Sequence, residues 1–95
     1  MKSKPKHFED LWNDCETLHG AKSLSIDSIL DETILKINLY KSFNAIDIPI
    51  EEKQKLKSHT FGEILFSLSV LSNTENINVY KALYSALIDH QMEKE

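Results

Sequence analysis

Arginine is absent from this 95-residue chain; all eleven of its basic residues are lysines. Without the planar guanidinium fork there is no bidentate grip on phosphate, carboxylate or guanine. The formal net charge of −4 adds no general attraction to nucleic acid or anionic lipid, so nucleic-acid binding is not expected. Cysteine is nearly absent as well. A single thiol, Cys15, excludes an intrachain disulfide and fits a reducing compartment, which makes the cytoplasm the expected location. No run of consecutive apolar residues exceeds three, which excludes a membrane-spanning helix, and Lys2, Lys4 and Lys6 are followed by Glu9 and Asp10 instead of the apolar core of a signal peptide. Residues 1–6 read as a mobile basic leader. Only two glycines and two prolines interrupt the chain, so few, long elements are expected, and these are helices.

What is present supports that expectation. The stretch Thr60 to Ser72 has no charge from Ile64 onward, in a chain where 27% of residues are charged. At helical spacing Phe61, Ile64, Leu65, Leu68 and Leu71 fall in one stripe, Phe66 and Val70 face elsewhere, and serines fill the gaps. A helix of this kind has neighbours on two sides, and the serines let them approach. Strand-like alternation over Phe66–Val70 competes with this reading, but a lone strand has no partner for its backbone groups. Upstream, Phe8, Leu11, Trp12, Cys15 and Leu18 mark an amphipathic first helix that Gly20 would stop. A second helix is predicted from Ser25 or Ile26 to about Asn44, with Ser25 as N-cap and Ile26, Ile29, Leu30, Ile34, Ile37 and Tyr40 as its main stripe. Leu35 and Leu39 lie off that stripe and need another cover. Pro49, Glu51 and Glu52 suit the start of a third helix. Thr60 with Glu63 also matches a capping box that would restart a helix there, although continuity with a kink near residues 58–62 is favoured. The last helix follows the break at Asn73–Asn76. The fold class is therefore all-α, one domain spanning residues 1–95, as an antiparallel bundle of four helices, or five if the third segment is split. The chain is short enough that a homodimer is expected, with Leu35 and Leu39 among its contacts.

Chemistry-bearing patterns are sparse. The four histidines, His7, His19, His59 and His90, share no metal-binding spacing. Cys15 sits on the apolar stripe of the first helix with no flanking base and reads as a small hydrophobe. There is no serine elbow, phosphate loop or Cys-x-x-Cys, and no catalytic residue is assigned. Asp10 and Asp14 are most simply a solvated acidic face. Asp31, near Asp27 and Glu32 on the second helix, would share a cation with Glu63 if the two helices bring them together; otherwise Glu63 serves only the Thr60 cap.

Thr60-Phe61-Gly62-Glu63-Ile64-Leu65-Phe66-Ser67-Leu68, followed by Asn76-Ile77-Asn78-Val79-Tyr80-Lys81-Ala82-Leu83, resembles the second half of the MazG-like all-α nucleoside triphosphate pyrophosphohydrolases, over about residues 57–92. That family carries Glu-Leu-Gly-Asp at the head of a helix and binds magnesium through Glu-x-x-Glu and Glu-x-x-Asp on successive helices. Here Glu63 matches the final Asp, Thr60 stands in place of the Glu, and the earlier motif reduces to Ser28-x-x-Asp31. The resemblance implies a magnesium site at Asp31 and Glu63, a nucleotide substrate, and lysines such as Lys57 near its phosphates. The residues themselves favour a non-enzymatic interaction or assembly module that needs no cofactor and recruits a second copy or another protein.

Overall fold

The computed structural model describes residues 7–18 and 25–93. The leader at 1–6, His19 and the stop at Gly20 lie outside the described residues. Four α-helices and one short 3-10 turn make up the described chain, and no strand occurs among these residues. They are α1 (Phe8–Leu18), α2 (Ile26–Ser42), the turn Phe43–Ala45, α3 (Ile50–Glu75) and α4 (Val79–Glu93).

Local chemistry accounts for most of the helix ends. Ser25 caps α2, its Oγ accepting the Ser28 N–H at 3.1 Å. Pro49 stands one position earlier than expected, as the residue before α3, with Glu51 and Glu52 in the first turn. The helix then runs unbroken for 26 residues, about 39 Å at 1.5 Å per residue. Thr60 is buried in its middle, so it caps nothing. Asn76 ends α3 in the left-handed conformation at φ 58°. There the Asn76 N–H donates to the Asn73 carbonyl and the Ile77 N–H to the Ser72 carbonyl at 2.8 Å, the paired bonds of a Schellman stop. Asn tolerates that conformation better than most residues. Two residues on, Asn78 Oδ1 accepts the Lys81 N–H at 3.0 Å and starts α4.

α1 and α2 both pack on α3. α2 and α3 run antiparallel, since their partners fall in number along α3 as α2 rises: Lys36 meets Ser67 and Glu63, Tyr40 meets Phe61, and Asn44 meets Lys57. α1 lies on the C-terminal half of α3, where Glu16 reaches Ser72 and Asn73. α3 thus has a neighbour on each of two sides, and its buried residues are small: Thr60, Ser67, Ser69, Val70 and Ser72. Ser69 donates its hydroxyl proton to the Phe66 carbonyl three residues back, at 2.6 Å, so it can be buried without outside help, while the Ser72 hydroxyl meets the Glu16 carboxylate of α1 at 2.7 Å.

The row of α2 that packs differs from its predicted stripe. Ile29, Thr33 and Phe43 are buried, with Lys36 and Tyr40 half-buried in the same row, while Ile26, Leu30, Ile34 and Ile37 are exposed on the flank. The apolar arc of α2 is wide, and the polar face of α3 selects the part of it that carries Thr33 and Lys36. α4 contributes no buried residue, and no described helix packs along it. Its start is tied down by the Tyr80 hydroxyl, which donates to the Glu9 carbonyl at 3.2 Å.

Two stability effects are expected. Trp12 is 7% exposed, and Trp12→Ala should cost about 3–5 kcal/mol in denaturant melts at fixed protein concentration. Gly62 lies inside α3, where an added Cβ meets nothing within 4 Å, so Gly62→Ala should stabilise by about 0.5–1 kcal/mol in the same measurement.

Candidate functional site

Glu63 faces α2, and its nearest cation belongs to the protein. Lys36 Nζ donates to Ser67 Oγ at 2.7 Å, to the Glu63 carbonyl at 3.3 Å and to Glu63 Oε1 at 3.4 Å. These three acceptors match the three protons of an ammonium group. On the other side His59 Nε2 lies 4.0 Å from Glu63 Oε2, one helical turn away. The recess here is lined by Glu32, Lys36, Glu63 and Ser67 with Ile29, Phe66 and Val70. Asp31 is exposed on α2 and does not line it; Glu32 does.

Two carboxylates, Glu32 and Glu63, line the recess beside the Lys36 ammonium. A hard divalent cation needs several converging oxygens, and an ammonium group already sits on the Glu63 carboxylate. Among the described residues no group of three His, Cys, Asp or Glu side chains is placed to hold a metal ion. Lys57 lines a different recess, with Tyr40, Gln54, Ser58 and Phe61. It donates to Asn44 Oδ1 at 2.8 Å, with its Nζ 5.8 Å from the centre of the Tyr40 ring.

A second feature lies where α1, α3 and the start of α4 meet. Phe8 and Trp12 from α1, Leu65, Leu68 and Leu71 from α3, and Leu83 from α4 line an open groove of 440 Å³ whose walls are almost wholly apolar. Its floor is fixed by one carboxylate: Glu16 Oε2 accepts Trp12 Nε1–H at 3.2 Å and the Ser72 hydroxyl at 2.7 Å. The Phe8 and Trp12 rings sit 5.8 Å apart at a 40° tilt. Cys15, on the same helix, is a half-buried free thiol. The sequence names these residues as apolar positions but gives no sign that they form a groove open to solvent.

Leu35 and Leu39 are 69% and 50% exposed on the outer side of α2. No described helix of the same chain covers them. With Ile26, Leu30, Ile34 and Ile37 uncovered on the other flank, α2 is apolar on both sides of its packed row. The sequence stripe concealed this, because it assigned that flank to the core.

No protein-family model, curated protein or solved structure matches the chain. Among the described residues no helix is long and apolar enough to cross a membrane.

The two sites give separate expectations. Ser67 is buried and Glu63 half-exposed, so Lys36→Met should destabilise by about 1–2 kcal/mol through the stranded hydroxyl. Glu63→Gln should cost less than about 0.5 kcal/mol, since exposed pairs contribute little, and paired denaturant melts compare the two. Where α4 meets α1, the Tyr80 phenol is held above its ordinary pKa of 10.0, first by desolvation and then by the negative charges of Glu9, Glu16 and Asp10. The folded state thus favours the protonated phenol, so its stabilising effect is complete below the unfolded value and is lost as pH rises through the higher folded one. Alkaline absorbance titration of wild type minus Tyr80→Phe should show a midpoint above 10.0.

Proposed function

We propose that this chain is a non-enzymatic helical assembly module that acts as an oligomer, its first partner a second copy of itself. The observation that carries this reading is the imbalance between buried and exposed apolar side chains. Among the described residues four are buried, Trp12, Ile29, Phe43 and Val70, while nineteen large ones are exposed. Single exposed leucines are ordinary; contiguous ones along whole helix faces mark association surfaces. In this reading the antiparallel four-helix bundle is completed between chains. Leu35 and Leu39 belong to the uncovered surface available for that purpose.

The competing reading is the magnesium-dependent nucleotide pyrophosphohydrolysis implied by the MazG-like resemblance, with Asp31 and Glu63 as ligands. Weighing against it is Lys36, whose ammonium occupies the carboxylate that a metal would need. A side chain that neutralises Glu63 and joins α2 to α3 serves packing.

Sedimentation at micromolar concentration should give a mass of at least two chains; a folded monomer overturns the proposal. Leu35→Lys with Leu39→Lys should stay folded, since neither side chain supports the protomer's own core. Pyrophosphate release from the common nucleoside triphosphates, with magnesium or manganese, should stay at background. Turnover that disappears in Glu63→Gln would establish the hydrolase instead.

A further inference from the structure

The groove between α1, α3 and the start of α4 is walled almost wholly by apolar side chains, yet it is open: Phe8, Leu68 and Leu83, which line it, are 52%, 37% and 65% exposed. The charge on the helices that wall it is one-sided. α1 carries Glu9, Asp10, Asp14 and Glu16 and no lysine; α3 from Ile64 onward carries only Glu75; α4 carries Asp89 and Glu93 against Lys81. The other lysines among the described residues, Lys36, Lys41, Lys53, Lys55 and Lys57, sit on α2 or on the N-terminal part of α3, whereas α1 packs on its C-terminal half. The remaining five lysines lie outside the described residues. Helical spacing brings carboxylates to the groove itself: Glu9 and Glu16, seven apart, share one row of α1 beside Phe8 and Trp12, and Asp89 shares a row of α4 with Ala82, which lines the groove. Desolvation first, and then the charges of Glu9, Glu16 and Asp10, raise the pKa of the Tyr80 phenol, so the field of α1 reaches the start of α4.

We infer that this groove receives the apolar face of a basic amphipathic helix from a different protein, whose lysines or arginines meet the carboxylates of α1 and α4. The inference goes beyond self-assembly and does not depend on it. A helix lies in an apolar groove through anchors at i, i+3, i+4 and i+7, and its flanking residues then face the groove's walls. Those walls are acidic, so charge selects the occupant. A second copy is the poorer one, because its own groove helices carry the same sign. An uncharged helix would bury the same apolar surface but would gain neither the steering nor the fixed orientation that complementary charge gives. Nucleic acid and anionic lipid are repelled by the same field. The floor of the groove is formed in advance, since Glu16 accepts Trp12 Nε1–H at 3.2 Å and the Ser72 hydroxyl at 2.7 Å, and an indole held in place loses little freedom when a ligand covers it.

The test uses the full chain and a synthetic helix of about 18 residues, with leucine at the anchor spacings and lysine elsewhere, beside a twin carrying glutamate in place of lysine. Trp12 is the chain's only tryptophan and lines the groove, so its emission reports binding of peptides that have none. The lysine helix should shift that emission and bind at least about tenfold tighter than its twin, a preference that shrinks as salt rises from about 0.1 to 1 M. Leu83→Lys should weaken binding about tenfold or more. Glu9→Lys with Asp10→Lys should reduce the preference for the lysine helix, and Leu35→Lys with Leu39→Lys, on another face, should leave it unchanged. Equal affinity for the two helices, binding that survives Leu83→Lys, or no change in emission would overturn the inference. If Leu83→Lys unfolds, amide hydrogen exchange on wild type takes its place: the lysine helix should add protection in α1 and α4, and protection gained in α2 instead would refute the groove. Sedimentation of the same samples separates the two readings. A wild-type monomer that binds the lysine helix sinks self-assembly alone, and an assembled protein that does not bind it sinks this inference alone.

Discussion

The structure depends on how closely two helices can approach one long one. α3 receives α1 on one side and α2 on the other, and it does so through Thr60, Ser67, Ser69 and Ser72, which are buried although none is apolar. Small side chains let neighbouring helices approach, and the Ser69 hydroxyl, bonded back to the Phe66 carbonyl, needs no external partner. In return, little apolar area is removed from water at these contacts. A serine-lined seam sets geometry well and contributes modest free energy.

Polar groups that cross the seams compensate in part. Lys36 ties α2 to the middle of α3, and Glu16 ties α1 to its C-terminal end while orienting Trp12. Both are charged groups bonded to a buried serine, and charge-assisted bonds of that kind are stronger than neutral ones. Glu63, the ionisable group at the edge of the uncharged stretch of α3, is thereby drawn into holding two helices together.

The protomer is left with its apolar side chains largely outward. Both flanks of α2 and the apolar side chains of α4 lack cover, and the groove between α1 and α3 opens beside α4. In the assembly reading a chain with so slight an internal core gains further hydrophobic stabilisation by association, so folding and association are coupled and apparent stability rises with protein concentration.

The sequence by itself determined the helices and most of their boundaries, because these follow from local chemistry: the Ser25 cap, the Pro49 start, and apolar spacing in Phe8–Leu18. It also placed Trp12 on the stripe that packs and predicted neighbours for α3 on two sides. Tertiary structure decided which part of each apolar arc is buried. Periodicity defines a wide stripe on α2 but not the line of contact within it, and the polar face of α3 moved that line onto Thr33 and Lys36, leaving Leu30 and Ile34 in solvent. It likewise put Lys36 and Glu32, not Asp31, beside Glu63, since which residues meet across two helices depends on their rotation and register. The exposure of α4 was equally illegible, because an apolar helix that packs in its own chain and one left uncovered have the same sequence pattern.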